Sequence, residues 1–176
     1  RFGILGIFAY VVAEVAIGSF LTNYVSDTLH IREKAANHYV SFYWGGMLVV
    51  LLLGAVILKQ VRPPVVLAVT ASCAVLLILF SVNTSGYAAV WSMVMVGVCN
   101  SVMFSIIFSL AVKGLGAHTS TASGILSTAI TGGAVVSLLV GLARDHSSWA
   151  VAFMLPVLCY GCILFYALNG YKPGRR

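Results

Sequence analysis

Glu14 stands near the middle of an unbroken apolar run, Ile4 to Val25, and no other charged residue lies at such a depth. An acidic side chain in hydrocarbon costs about 2.5–3.5 kcal/mol on insertion scales, so it faces a cavity or a partner. A carboxyl so placed suits a group that takes up and releases a proton or cation, or that accepts hydrogen bonds from a ligand's hydroxyls. The alternative is a protonated Glu, hydrogen-bonded inside a helix bundle and purely structural. Tyr10 and Gly18, four residues to either side, share its helical face.

Other polar residues pose the same choice. Asn23 and Tyr24 lie at the outer end of that run, where aromatic belt residues are ordinary. Asn23, nine residues from Glu14, falls on the far side of a helix, as an interfacial residue or a ligand contact. The segment His38-Tyr39-Val40-Ser41-Phe42-Tyr43-Trp44-Gly45-Gly46 sets hydroxylated aromatics beside a glycine pair. Tyr43 and Trp44 suit a platform on which a pyranose ring stacks, or an interfacial anchor before a close helix crossing. Trp44 is expected to sit deeper. Further on come Gly97, Asn100, Ser101, Phe104, Ser105, Phe108 and Ser109. The Asn100 amide carries two donors and an acceptor oxygen, and in an apolar span it needs partners for them. Ligand contact through Asn100 and Phe104 competes with plain helix packing, in which small and polar residues recur every four positions.

Several motifs lead nowhere. Gly124, Thr128 and Gly132 form one small-residue ridge, and Gly133, Ser137 and Gly141 another, both suited to close helix approach. Cys159-Tyr160-Gly161-Cys162 spells C-x-x-C but falls inside an apolar span with no His or acidic residue near, and Cys73 and Cys99 are likewise within apolar runs. The histidines at 30, 38, 118 and 146 lack metal-ligand spacing. No nucleophile elbow, P-loop or dinucleotide fingerprint occurs, so neither an enzyme nor a cofactor is expected.

The elements that position these residues follow from composition. The 176 residues are 61% hydrophobic and 8% charged, with a mean hydropathy of +1.04. A soluble domain carries about 25% charged residues, so the solvent here is a lipid bilayer. Six runs approach the length of about 20 residues that a span requires: Ile4 to Val25, Tyr39 to Leu58, Val65 to Val82, Ala88 to Val112, Ala122 to Leu142 and Trp149 to Leu168. Backbone groups in lipid must be satisfied within the segment, and barrel alternation is absent, so all six are expected to be helices. The fold class is thus an all-α membrane protein, residues 1–176 forming a single six-helix domain. Gaps that run long, short, long, short suggest two three-helix repeats.

The net charge of +6 does not read as nucleic-acid binding, because the basic residues sit singly in the gaps. Arg1, Lys59, Arg62, Lys113, Lys172, Arg175 and Arg176 fall at the ends and in even-numbered gaps, against Arg32, Lys34 and Arg144 in odd ones. That asymmetry predicts both termini on the cytoplasmic side. The opening Arg1-Phe2 suggests a piece of a longer chain.

Tyr10-Val-Val-Ala-Glu14-Val-Ala-Ile-Gly18-Ser-Phe-Leu-Thr-Asn23-Tyr24 resembles the seventh helix of major facilitator sugar permeases, the fucose/proton symporter and glucose/galactose transporter group. Phe42-Tyr43-Trp44-Gly45-Gly46 and Gly97-Val98-Cys99-Asn100-Ser101-Val102-Met103-Phe104 resemble its eighth and tenth helices, and Thr131-Gly132-Gly133-Ala134 its eleventh. The resemblance implies the carboxy-terminal six helices of a twelve-helix transporter, as two inverted three-helix repeats with the substrate at the midplane between halves. It implies a multi-pass protein of the bacterial inner membrane, coupled to protons or sodium and binding a monosaccharide of the fucose, glucose or galactose class. Glu14, Asn23, Tyr43, Trp44, Asn100 and Phe104 are then the candidate substrate contacts, with Glu14 also the coupling group. Its partner is the amino-terminal half or a second copy of itself. The sequence departs from the family pattern where Val50-Leu51-Leu52 replaces Gly-Arg-Phe, Val12 replaces Gly, and Ser105 and Ser137 replace Pro. Natural or engineered, these departures leave open a transport-inactive half with straighter helices and a structural, self-associating role.

Overall fold

The computed structural model describes residues 2–112, 124, 128, 138, 140–142 and 144–170. Its helices are α1 (Phe2–Leu29), α2 (Glu33–Gln60), α3 (Pro63–Asn83), α4 (Tyr87–Asn100), α5 (Met103–Val112) and α6 (Trp149–Phe165), with a π-helical turn at Tyr166–Gly170. The expected fifth span lies almost wholly outside the described residues, as do Ser137, Lys113 and the terminal basic group. Among the described residues, five helical stretches are long and apolar enough to cross a membrane.

Helix ends follow local chemistry. α1 outruns its apolar stretch and stops at His30, which takes a left-handed φ of 54°. The Ile31 N–H reaches back to the Ser26 carbonyl at 3.2 Å, the six-to-one bond of a Schellman cap, and the Ser26 hydroxyl donates to the Ile31 carbonyl at 2.7 Å. α2 starts six residues before its apolar span, inside the polar gap, because the Arg32 carbonyl accepts from both Ala35 and Ala36 and Glu33 suits a helix N-terminus. At α3 the prolines occupy the first positions, where their missing N–H costs nothing, and Arg62 before them is extended.

One interruption differs from expectation. The fourth span is two helices, broken at Ser101 and Val102. There the Ser101 hydroxyl donates to the Val98 carbonyl at 2.7 Å and the Ser101 N–H to the same oxygen at 3.4 Å. A serine that bonds back to the preceding turn competes with the helical ladder and bends it. In α6, Pro156 removes one backbone donor within the helix.

α1 packs against α2, α4, α5 and α6, while α3 packs against α4, α5 and α6. α1 is therefore the hub, and Ile7, Tyr10, Ala13, Ile17 and Leu21 are fully or almost fully buried along it. α2 touches α1 and α4 but leaves Phe42, Leu48, Leu52 and Val56 exposed.

Candidate functional site

Around the middle of this bundle, four helices bring their few polar side chains to one place. Asn100, the last residue of α4, is fully buried. Its Oδ1 accepts the Tyr160 hydroxyl of α6 at 2.6 Å, and its Nδ2 donates to the Tyr43 hydroxyl of α2 at 3.0 Å. Its backbone carbonyl, released by the break that follows α4, accepts from Tyr10 of α1 at 3.3 Å. The Tyr10 hydroxyl, its proton given to the Asn100 carbonyl, lies beside the carboxyl of Glu14, one turn along the same helix. Glu14 is half-buried, whereas Tyr10, Tyr43 and Tyr160 are sealed from the exterior. The result is a carboxyl at the edge of a hydroxyl and amide network, enclosed in apolar packing.

Close helix approach makes this possible. A Cβ added at Gly97 would lie 2.7 Å from Tyr43 Cδ2 and 2.9 Å from the Tyr43 carbonyl oxygen, so only glycine lets α4 lie against α2 there. At Gly18 a Cβ would meet Trp44 Cζ2 at 2.9 Å, so the indole covers α1 one turn beyond Glu14. Phe104 extends the aromatic wall, its ring 5.9 Å from Tyr10 and 5.9 Å from Phe108.

Of the six expected contacts, Glu14, Tyr43, Asn100, Trp44 and Phe104 are gathered around this network, and Asn23 is not. Asn23 is exposed near the other end of α1, where its neighbour Tyr24 turns inward to Ser81. Trp44, expected to sit deeper than Tyr43, is 46% exposed, while Tyr43 is fully buried. Consecutive helical residues point about 100° apart, and the inward direction belongs to Tyr43. Tyr10, noted only as sharing the Glu14 face, is a full member. Tyr160 was hidden in the C-x-x-C segment; the signal for it was a hydroxyl at mid-span, which needs a partner when buried.

Departures from the family pattern fall elsewhere. Val12 is buried in the core, Leu51 and Leu52 are exposed, and Val50 borders a cavity of about 160 Å³ with Gly54, Val66, Thr70 and Cys99. Ser105 is exposed. A larger groove of about 910 Å³ between α1, α3 and α6, lined by Leu5, Phe8, Val75 and Leu158 among others, is almost wholly apolar. Among the described residues no three His, Cys, Asp or Glu side chains converge on a metal position.

A second polar group ties the far ends of the helices. The Ser81 hydroxyl donates to the Ala89 carbonyl at 2.6 Å, which leaves Tyr24 as the donor to Ser81 Oγ at 2.8 Å. At the same end Asp27 accepts from Arg144 at 2.6 Å and from Trp149 Nε1 at 3.0 Å.

A bundle of apolar helices enclosing one carboxyl and its hydroxyl partners has the fold of one half of a major facilitator superfamily transporter. It superposes on the crystal structure of FucP, such a transporter in the outward conformation, with a TM-score of 0.93 and 26% identity, over 98% of this chain and 42% of that one. In sequence the chain is 44% identical over 172 residues to a glucose/galactose transporter of Brucella abortus, covering 97% of this chain and 42% of that protein. It is 43% identical over 176 residues to a putative glucose/galactose transporter of Helicobacter pylori, covering 97% and 43%. To the L-fucose-proton symporter of Escherichia coli it is 28% identical over 171 residues, covering 95% and 39%. No protein-family model matches the chain. The chain spans about two fifths of the length of these relatives, which are transporters and not enzymes. It is a homologue of sugar transporters and a multi-pass membrane protein.

Proposed function

We propose that the chain is the carboxy-terminal half of a proton-coupled hexose permease and forms one wall of a midplane sugar site. Glu14 acts as the coupling group, and Tyr43, Asn100, Trp44 and Phe104 face the sugar. In this reading residues 1–176 form one six-helix domain of two inverted three-helix repeats. It lies in a bacterial inner membrane with both termini cytoplasmic and works with an amino-terminal half. The observation that carries the proposal is the half-buried Glu14 carboxyl at the edge of the Tyr10, Tyr43, Asn100 and Tyr160 network. A carboxyl whose surroundings alternate between wet and dry releases and takes up a proton, because desolvation disfavours its charged form. The names of the relatives support a sugar as cargo, and that of the Escherichia coli relative supports a proton as the coupling ion. Asn23 lies apart from these residues, exposed toward the other end of α1.

The test uses this chain joined to its other half. Glu14→Gln should abolish proton-driven accumulation while sugar exchange survives, because Gln keeps the hydrogen-bonding shape. Glu14→Ala should weaken sugar binding further. Accumulation against a gradient by Glu14→Gln would leave Glu14 as a structural residue.

A further inference from the structure

Trp44 meets α1 with the edge of its ring. A Cβ added at Gly18 would lie 2.9 Å from indole Cζ2 and 3.7 Å from each of its ring neighbours, Cε2 and Cη2. A contact through a ring face would hold three adjacent carbons at nearly one distance. Neighbours equally spaced and 0.8 Å farther out (3.7 − 2.9) belong to an approach mainly along the Cζ2–H bond. The indole therefore stands out from α1 and does not lie flat on it. Tyr43, its neighbour in sequence, is set nearly perpendicular to it, with ring centroids 5.3 Å apart at 86°. The indole remains partly exposed. Glu14 lies one turn from Gly18 on the same face of α1, about 6 Å along the axis.

We propose that Gly18 is a positioning residue for the sugar platform: lacking a side chain, it seats the indole edge of Trp44 against α1, and so sets how far the open ring surface stands from the Glu14 carboxyl. This rests on the reading of Trp44 as a sugar contact and adds what fixes its place. A pyranose stacked on a ring carries its hydroxyls at its rim, and the span between platform and carboxyl decides which of them reaches Glu14. Gly18 thereby determines sugar fit without touching the sugar. The three atoms nearest to a new methyl there all belong to the indole, whereas at Gly97 one is backbone. A methyl at 18 therefore moves the ring and not the helix, by about 0.5 Å (3.4 − 2.9) to reach ordinary contact. Ala also suits a helix better than Gly, so α1 keeps its form.

The experiment uses this chain joined to its other half, in a background where Trp44 is the only tryptophan. Glucose, galactose or L-fucose should shield Trp44 from quenching by acrylamide. In Gly18→Ala the sugar concentration that gives half the shielding should rise about threefold to tenfold, the range of one aromatic contact. With the other tryptophans restored, KM for exchange of that sugar should rise by the same factor, and by more than kcat falls. In Trp44→Phe, whose smaller ring leaves room for a methyl, Gly18→Ala should raise KM no further. A half-point does not depend on how much protein folds, so a reduced yield of any variant leaves the comparison intact. No shielding by any of the three sugars overturns the reading of Trp44 as a sugar contact, and this inference with it. Shielding with an unmoved half-point in Gly18→Ala, or an equal KM rise in the Trp44→Phe background, overturns the positioning role while that reading stands.

Discussion

Gly97→Ala tests whether the contact of α2 with α4 is as tight as the site requires. The new methyl would lie 2.7 Å from Tyr43 Cδ2, 2.9 Å from its Cε2 and 2.9 Å from its carbonyl oxygen. A ring edge can turn aside, but the oxygen belongs to the backbone of α2, so the helix itself must move. To reach the 3.4 Å at which ordinary contact begins, it must retreat by about half an ångström. That displacement stretches the Asn100 to Tyr43 bond from 3.0 Å to about 3.5 Å, beyond the range of a sound amide-to-oxygen bond. Overpacking costs about 1–3 kcal/mol, and a lost buried hydrogen bond about 1 kcal/mol more. The sum expected is about 2–4 kcal/mol in reversible unfolding from mixed micelles. Gly161→Ala on α6 is the matched control. Nothing lies within 4 Å of a Cβ there, so the substitution should be neutral or stabilise by up to about 1 kcal/mol through chain entropy. If Gly97→Ala unfolds within about 0.5 kcal/mol of the parent, below the range for overpacking, or if Gly161→Ala loses as much as Gly97→Ala, the packing argument is wrong.

Four further outcomes are expected. With single cysteines at Gln60 and Ser85 in a background free of others, an impermeant thiol reagent added outside should label position 85 and spare 60; the opposite pattern reverses the orientation. Asp27→Asn should cost less than about 1 kcal/mol, because the Arg144 pair is 36% and 46% exposed. Trp149→Ala should cost about 3 kcal/mol, since it removes a ring stacked on Phe153 at 5.4 Å, set edge-on to Tyr24 at 5.5 Å and covered by Arg144 at 4.6 Å; equal losses would mean that the ion pair and not the aromatic cluster holds that end together. The chain alone should show no net sugar uptake, because one wall cannot occlude a substrate, and robust uptake by a demonstrably monomeric preparation would refute this.

The sequence made the membrane and the buried acid plain, because both rest on local chemistry. Glu14 in an apolar run is legible from its cost alone, and Asn100 from its unpaired amide. Which hydroxyls meet them is not local: Tyr160 lies 60 residues from Asn100, and Tyr43 lies 57 from it. No periodicity fixes such a pairing; packing of α1 against α2, α4 and α6 does. That Tyr43 turns inward while Trp44 stays partly exposed is not legible in the sequence, because depth along a helix says nothing about rotation around it. The break in the fourth span was hidden because Ser101 reads as one more small residue. Only its bond to the Val98 carbonyl distinguishes a bending serine from a packing one.

The break also explains why the network centres on Asn100. A helix that continued unchanged past this residue would commit its backbone carbonyl to a later N–H in the ladder. Because α4 ends there, that oxygen is available to Tyr10, so α1 is held to the last turn of α4 by a bond between polar groups in an apolar interior. Side chain and backbone of one residue thereby collect three tyrosines from three helices. Asn100 is bonded to three protein hydroxyls, so under the proposed function a sugar entering from the Glu14 side would have to exchange its water contacts for bonds that compete with existing ones. The net gain from each such exchange is small, about 0.5–1.5 kcal/mol. Under the proposed function the wall would discriminate among sugars chiefly by rejecting those whose hydroxyls leave Glu14 unpaired, since an unsatisfied buried polar group costs about 1–3 kcal/mol. Under that proposal, specificity lies in the direction of the donors more than in their number.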